Sequence, residues 1–294
     1  MATVFYDKAS VELGVGNVTE SLLASDCSLT YNNAQQALYS IGRKGSLGQF
    51  PSAARAADLS FNFLTTITGN PSGYYTQGNI INFLASGIKN SVGSEASGVT
   101  VKFAGVTGIA FLNSYSFSIA SNSVSTSSAS LSFYGDQSQL PITGFLHAQV
   151  GVSTTNNAND PFLNTGVAHG RYTTLSPLAS TRGSETANIY GADYSISFGH
   201  NPIYKLGQEF PATTLYTTAQ ESVNVTEDLF DSGLKFNETA QDLTLTISGL
   251  GVSVDNSISH SMDVGIKGAK QISTSMSAGL DDIVRTQKTL TSSY

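Results

Sequence analysis

The stretch "QALYSIGRKGSLGQFP", Gln36–Pro51, places Tyr39, Ser40, Ile41 and Gly42 in a row and then reaches Phe50-Pro51. Far downstream, "PIYKLGQEFP", Pro202–Pro211, places Tyr204, Lys205, Leu206 and Gly207 in a row and reaches Phe210-Pro211. Both write Tyr-x-(Ile/Leu)-Gly and then Phe-Pro. If the surrounding text is also written twice, the chain is a tandem repeat, and the fold of one unit gives the fold of both.

The surrounding text does match. "DCSLTYNNAQQALY" (Asp26 to Tyr39) leads into the first Tyr, and "DYSISFGHNPIY" (Asp193 to Tyr204) leads into the second. Both alternate apolar with polar residues, the mark of a strand with one buried face. After Phe-Pro, the first copy continues to "DLSFNFLTTI" and the second to "ESVNVTEDL". Next come "NIINFLASGIKN" (Asn79 to Asn90) and "EDLFDSGLKFN" (Glu227 to Asn237), where Ser86-Gly87-Ile88-Lys89 aligns with Ser232-Gly233-Leu234-Lys235. The apolar spacing predicts one short helix per copy, with Gly87 and Gly233 as left-handed C-caps.

Each copy then closes with alternating strands. The first has "GVTVKFAGV", "SYSFSIAS" and "SASLSFYG" to Gly135. The second has "DLTLTISGL", "SVDNSISHSMDV" and "QISTSMSAG" to Gly279. The two glycine-to-glycine distances are nearly equal, so the repeat is set over residues 1–138 and 139–294. Its boundary falls in "QSQLPITG". The second unit carries an extra polar segment over about residues 154–188, without a period. It is expected to be mobile or to order against a neighbour.

Composition agrees with a β-rich chain. Of 294 residues, 40% are hydrophobic and only 12% charged, about half the usual charged share. Ser, Thr, Gly and Asn fill the difference and suit strands and turns. The net charge of −7 gives no sign of a nucleic-acid reader, which would show a basic face. The single cysteine, Cys27, excludes an intrachain disulfide framework and reads as a small buried hydrophobe. The opening "MATVFYDKAS" predicts no signal peptide, and no window reaches the length of a membrane span.

Catalytic patterns are weak. His147, His169, His200 and His260 show no metal-ligand spacing. The Ser-rich runs contain no nucleophile elbow. "GVGN" and "GLGV" lack the rest of a phosphate-binding motif. Asp281-Asp282 reads as part of a solvated C-terminal tail. No enzyme activity and no cofactor is expected.

A strand ending in Tyr-x-(Ile/Leu)-Gly, a long loop, a strand, a helix and then a hairpin resembles the tail-tube fold of bacteriophages and related contractile injection machines. The resemblance covers most of the chain and rests on the order and doubling of the motifs. It implies two tandem tube-like β-sandwich or barrel domains, each with one short helix, in a structural virion protein. Three copies would form a ring of six-fold appearance, and rings would stack around a lumen through which DNA passes without specific binding. Synthesis and assembly would take place in the host cytoplasm, with no membrane insertion. Other tail proteins, such as tape measure, sheath or baseplate, would be its partners.

The loops Arg43–Ala57 and Gln208–Gln220 are then expected between rings or subunits, with Arg43, Lys44, Phe50, Pro51, Glu209, Phe210 and Pro211 as contacts. Read on their own, Arg43 and Lys44 equally suit a solvated loop face, and Tyr39 and Tyr204 suit packing at strand ends. Two alternatives stand beside the tube. One is a tube-like baseplate hub, distal tail or neck adaptor protein. The other is a two-domain adhesin or decoration protein.

Overall fold

The computed structural model describes residues 11–16, 18–22, 24–42, 44–51, 54–69, 77–96, 98–103, 105–134, 143–144, 165–176, 181–182, 185–186, 188–208, 210–228, 240–251, 259–277 and 285–294. These are mainly β, as composition and alternation predict, with large antiparallel sheets and one short α-helix. The expected boundary at 138/139 and the expected helix and cap at Gly233 fall outside the described residues. Glu227, the first residue of that expected helix, ends a strand instead.

In chain order the first strands are β1 (Val11–Val15), β2 (Val18–Leu22), β3 (Ala24–Asn32), β4 (Gln35–Tyr39), β5 (Ser46–Pro51), β6 (Ala56–Leu64), β7 (Thr66–Gly69) and β8 (Gln77–Gly78). Helix α1 (Ile80–Lys89) is followed by β9 (Val99–Phe103), β10 (Val106–Ala120), β11 (Thr126–Phe133) and β12 (Thr143–Gly144). Next come β13 (Thr165–Ala168), β14 (Thr174–Ser176), β15 (Thr181–Arg182) and β16 (Glu185–Thr186). The chain continues through β17 (Ile189–Ile203), β18 (Thr213–Glu227), β19 (Gln241–Gly251), β20 (Ser259–Ser277) and β21 (Arg285–Ser293).

Eight of these strands form one antiparallel sheet in the order β3-β6-β11-β10-β17-β18-β21-β20. Alternation explains why they turn one face inward. In β6, Ala57, Leu59, Phe61 and Phe63 are buried, while Asp58, Ser60 and Asn62 are exposed.

The left and right halves of this sheet have the same internal order. The register makes the equivalence residue-specific. Asp26 faces Asn62, and Asp193 faces Asn224. Ser28 faces Ser60, and Ser195 faces Ser222. Hence β3 corresponds to β17, β6 to β18, β11 to β21 and β10 to β20.

This corrects the expected end of the repeat. "QISTSMSAG" is not the counterpart of "SASLSFYG", because its described part, Gln271–Ser277, lies at the end of β20. The counterpart of β11 is β21, which pairs with both β18 and β20. The segment after Asp281-Asp282, expected as a solvated tail, is therefore a strand inside the sheet. Asp281 and Asp282 themselves lie outside the described residues.

The strands β10 and β20 each serve two sheets. The first part of β10 pairs with β9 and its later part with β11, while β20 pairs first with β19 and then with β21. Further ladders are β2-β1-β9 on one side, β19-β13-β7-β8 with β19-β14 on the other, a short β10–β12 pairing, and the separate hairpins β4–β5 and β15–β16. Thus β13 joins β7, from early in the chain, to β19, from late in it. It belongs to the extra segment 154–188, whose described parts order against their own chain. That segment shows no period because its strands are only two to four residues long.

Helix α1 forms because Asn79 caps it, its side chain accepting the Asn82 N–H at 2.9 Å. Ile80, Ile81, Ala85 and Ile88 bury one stripe. Gly87 does not cap the helix: it lies inside it, and the helix ends at Asn90, whose backbone is right-handed helical.

Candidate functional site: a hydroxyl-lined sheet face and two equivalent turns

The outward face of the eight-stranded sheet is carpeted with small hydroxyl and amide side chains. One row crosses every strand: Asp26, Asn62, Ser128, Ser116, Ser195, Ser222, Thr291 and Lys270. Neighbours within the carpet satisfy one another. Ser116 and Ser128 hydroxyls meet at 2.7 Å, Ser195 and Ser222 at 2.8 Å, and the Thr289 hydroxyl donates to Asn224 at 2.7 Å. Two open troughs follow this face. One, of about 800 Å³, lies between Ser116, Ser195, Ser222 and the β20 residues Lys267 and Lys270. The other, of about 520 Å³, lies among Asn62, Ser128, Ser118, Asp193 and Asn224. Side chains this short, spent on each other, leave a smooth polar wall with few charges.

The two halves meet at β10 and β17, where Ser114 to Ala120 pair with Ser197 to Gly191. Opposite Phe117 stands Tyr194, the rings stacked at 4.9 Å on the buried face. On the polar face, the Ser118 hydroxyl donates to the Asp193 carboxylate at 2.5 Å. An aromatic stack inside and a charge-assisted hydrogen bond outside fix this junction. No such partner covers the outer edge of β3 along 26–32, or of β20 along 270–277, among the described residues.

The repeated Tyr-x-(Ile/Leu)-Gly phrase proves to be a turn. Leu206 and Gly207 are central in a β-turn closed by the Gln208 N–H donating to the Lys205 carbonyl at 3.1 Å. Gly207 has φ +81° and Gly42 has φ +87°, a left-handed value that suits glycine at the third position of a type II turn. Each turn pushes its aliphatic residue fully into solvent, Ile41 at 105% and Leu206 at 106% exposure. Tyr39 and Tyr204 are exposed too, so the expectation that they pack at strand ends is corrected. They stand where the strand has left the core.

The loops around these turns differ. The first contains the separate hairpin β4–β5, with Lys44 exposed. Arg43, Glu209 and the side chains of Phe50 and Pro51 lie outside what is described. In the second, β18 begins at Thr213, and Phe210 and Pro211 are buried against their own chain, Phe210 at 8% exposure. Phe210 and Pro211 are therefore not free to reach a neighbour.

A polar chain lies beside one end of the junction, where a bulge at Asn113 breaks the β10–β11 register. The Asn113 amide donates to Ser132 at 2.7 Å, and Ser132 donates to Asp58 at 2.5 Å. The Asn113 carbonyl oxygen receives His200 Nε2, leaving His200 Nδ1 to accept from the Tyr134 hydroxyl at 2.8 Å. Burial lowers the His200 pKa, against a raising influence from Asp58. Both ring nitrogens are engaged, so the chain serves packing rather than offering a free base. Among the described residues, no three His, Cys, Asp or Glu side chains gather as a metal site, and no helix is long and apolar enough to cross a membrane.

The sequence pattern could have found the carpet, since "SYSFSIAS" and "SASLSF" print it directly. No local pattern could have found the Asn113–His200 chain, whose members come from four strands and a turn. Compared with known proteins, the chain matches no family model and no curated protein.

Proposed function

We propose that this chain is a tail-tube subunit of bacteriophage type, a structural virion protein whose copies close into rings around a lumen. One observation carries the reading. Two four-strand sets of identical order lie in one continuous sheet, joined by β10–β17, and among the described residues both outer edges are open along 26–32 and 270–277. A sheet built from repeats extends by adding the same repeat, and a twisted sheet that keeps adding repeats curves toward closure.

The hydroxyl carpet supports assigning that face to the lumen. Passing DNA is held back by each Lys or Arg that neutralises a phosphate. The net charge of −7 and the predominance of short hydroxyl side chains on the carpet, with Lys267 and Lys270 on its β20 side, favour passage without binding. Three copies, contributing two units each, would give a ring of six-fold appearance. The exposed Ile41 and Leu206 turns supply apolar contacts between stacked rings. No cofactor and no catalysis enter this reading.

Electron microscopy of the purified protein and of particles containing it, with symmetry left free, tests the proposal. Stacked rings with a lumen are expected. One ring at a tail end would assign the chain to an adaptor, and monomers or lumen-less fibres would overturn both assignments.

A further inference from the structure

The chain contains its own template for a joint with a second copy. Inside one molecule, β10 pairs with β17. The equivalences fixed by the sheet register make β20 the counterpart of β10, and β3 the counterpart of β17. These counterparts are the two open edges. We infer that β20 of one copy pairs antiparallel with β3 of the next copy, in the register of the internal junction. This rests on the proposed ring, and it specifies which residues close it.

The register follows by substitution. Ser116 faces Ser195 internally, so Ser273 faces Ser28 of the next copy. Phe117 faces Tyr194, so Thr274 faces Cys27. Ser118 faces Asp193, so Ser275 faces Asp26. The polar half of the joint is conserved in chemistry: a Ser hydroxyl meets an Asp carboxylate in both. The buried half is not. A stacked Phe–Tyr pair becomes Thr opposite Cys, so the joint between copies is less apolar than the joint within one.

The edges look built for pairing. Exposed edges are usually blunted by lysine, proline or bulges that turn the strand away. Each edge strand carries one bulge, between Gln271 and Ser273 and between Ala24 and Asp26, but the facing stretches 273–275 and 26–28 lie outside them; Ser273–Ser277 has no charge and no proline, Lys270 lies beyond the bulge, and in β3 only Asp26 is charged. Ile272, Met276 and Tyr31 are large apolar side chains left exposed on these same two strands.

The test uses the protein's only cysteine. In Thr274→Cys, the new thiol lies directly across from Cys27 of the next copy, at the separation of facing residues. In Met276→Cys the new thiol lies two residues away, where diagonal neighbours stand about 7–8 Å apart. Mild oxidation should link Thr274→Cys into oligomers on non-reducing gels at least about ten-fold faster than Met276→Cys, since bridging fails beyond about 7 Å between Cα atoms. Cys27→Ser in the Thr274→Cys background should abolish the links.

Charge gives a second readout. Ser275→Asp sets two carboxylates face to face and should disperse the assembly, and adding Asp26→Ser should restore it. Equal linking of the two cysteine variants, or no rescue of Ser275→Asp, overturns the register. Electron microscopy of the same samples separates the two claims. Tubes without links at position 274 would retain the tube and reject this joint. Links at 274 in open chains without a lumen would retain the joint and reject the tube.

Discussion

Two buried carboxylates stand near opposite ends of helix α1, and they are held in different ways. Near its N-terminus, Glu20 of β2 accepts the Ile80 N–H at 2.6 Å, and its other oxygen has no partner among the described residues. Burial pushes the Glu20 pKa up to about 7, the backbone hydrogen bond pulling the other way. Near the C-terminus, Glu221 of β18 meets the Lys89 ammonium at 2.7 Å and accepts from the Tyr194 and Tyr294 hydroxyls at 2.6 and 2.8 Å. The Lys89 ammonium also donates to the Gly265 carbonyl at 2.9 Å.

In the other half of the sheet, the position of Glu221 is taken by Leu59, since Ser60 and Ser222 are equivalent. The repeat thus preserves backbone order and not buried chemistry. One half keeps an apolar residue there. The other accepts a charge because the helix from the first half delivers a cation to it. The helix thereby ties one repeat to the other.

The comparison is broken most severely at Glu221. Glu221→Ala strands Lys89 without its counter-charge, and should cost about 3–5 kcal/mol in denaturant unfolding. Writing the Leu59 solution into the second half, as Glu221→Leu with Lys89→Met, should recover most of that loss. If the double variant unfolds as easily as Glu221→Ala, the pair is not what couples the halves.

The effect at Glu20 comes next, and it depends on pH. Because its folded pKa lies above the ordinary value, the native state holds more protons than the unfolded chain between about pH 4.5 and 7. Stability therefore falls as pH rises through that window, by about 3 kcal/mol, and levels off above it. Glu20→Gln should flatten this part of the profile. An unchanged slope in unfolding measured from pH 5 to 8 would remove Glu20 from the account.

Smaller is the change at Gly87, which sits inside the helix between the two carboxylates. A Cβ there meets open space. Gly87→Ala should therefore stabilise the protein by about 1 kcal/mol, read as a rise in midpoint at unchanged slope. The smallest effect on stability belongs to the two exposed turns. Ile41→Ser with Leu206→Ser should shift unfolding by less than about 0.5 kcal/mol. The same pair should shorten or abolish stacked rings in electron micrographs, and stacks of normal length would exclude the turns as ring-to-ring contacts.

Much of the sheet was legible because alternation is a local property. The runs around Phe61, Phe117 and Tyr194 print their buried faces in single letters, and the doubled Tyr-x-(Ile/Leu)-Gly marks two exposed turns with a positive-φ glycine in each. β21 was not legible, because its inward positions are Thr286, Lys288 and Leu290. Lys288 faces inward beside Glu227, with which it forms an ion pair, so a charge sits where an apolar residue marks a strand. The Glu221 cluster was equally hidden, since Lys89, Tyr194 and Tyr294 come together only in the folded chain. Phe210 misled for a related reason. A lone aromatic in a loop has the same letter whether it reaches outward or folds back into its own core.

The strand order carries one more consequence, for when the molecule becomes able to associate. β10 reaches β6 only through β11, and β20 reaches β18 only through β21. In each half, the strand that ends at a joint precedes in the chain the strand that seats it. β10 also pairs with β9, and β20 with β19, but the stretches that face a joint take their flanking ladder from β11 and β21, the strands that follow them. The ladders β6–β11 and β18–β21 join strands far apart in sequence and belong to the slow class of folding events. The edge of β20 along 270–277 is therefore completed only when β21, the last strand, has docked, whereas the edge of β3 needs only β6.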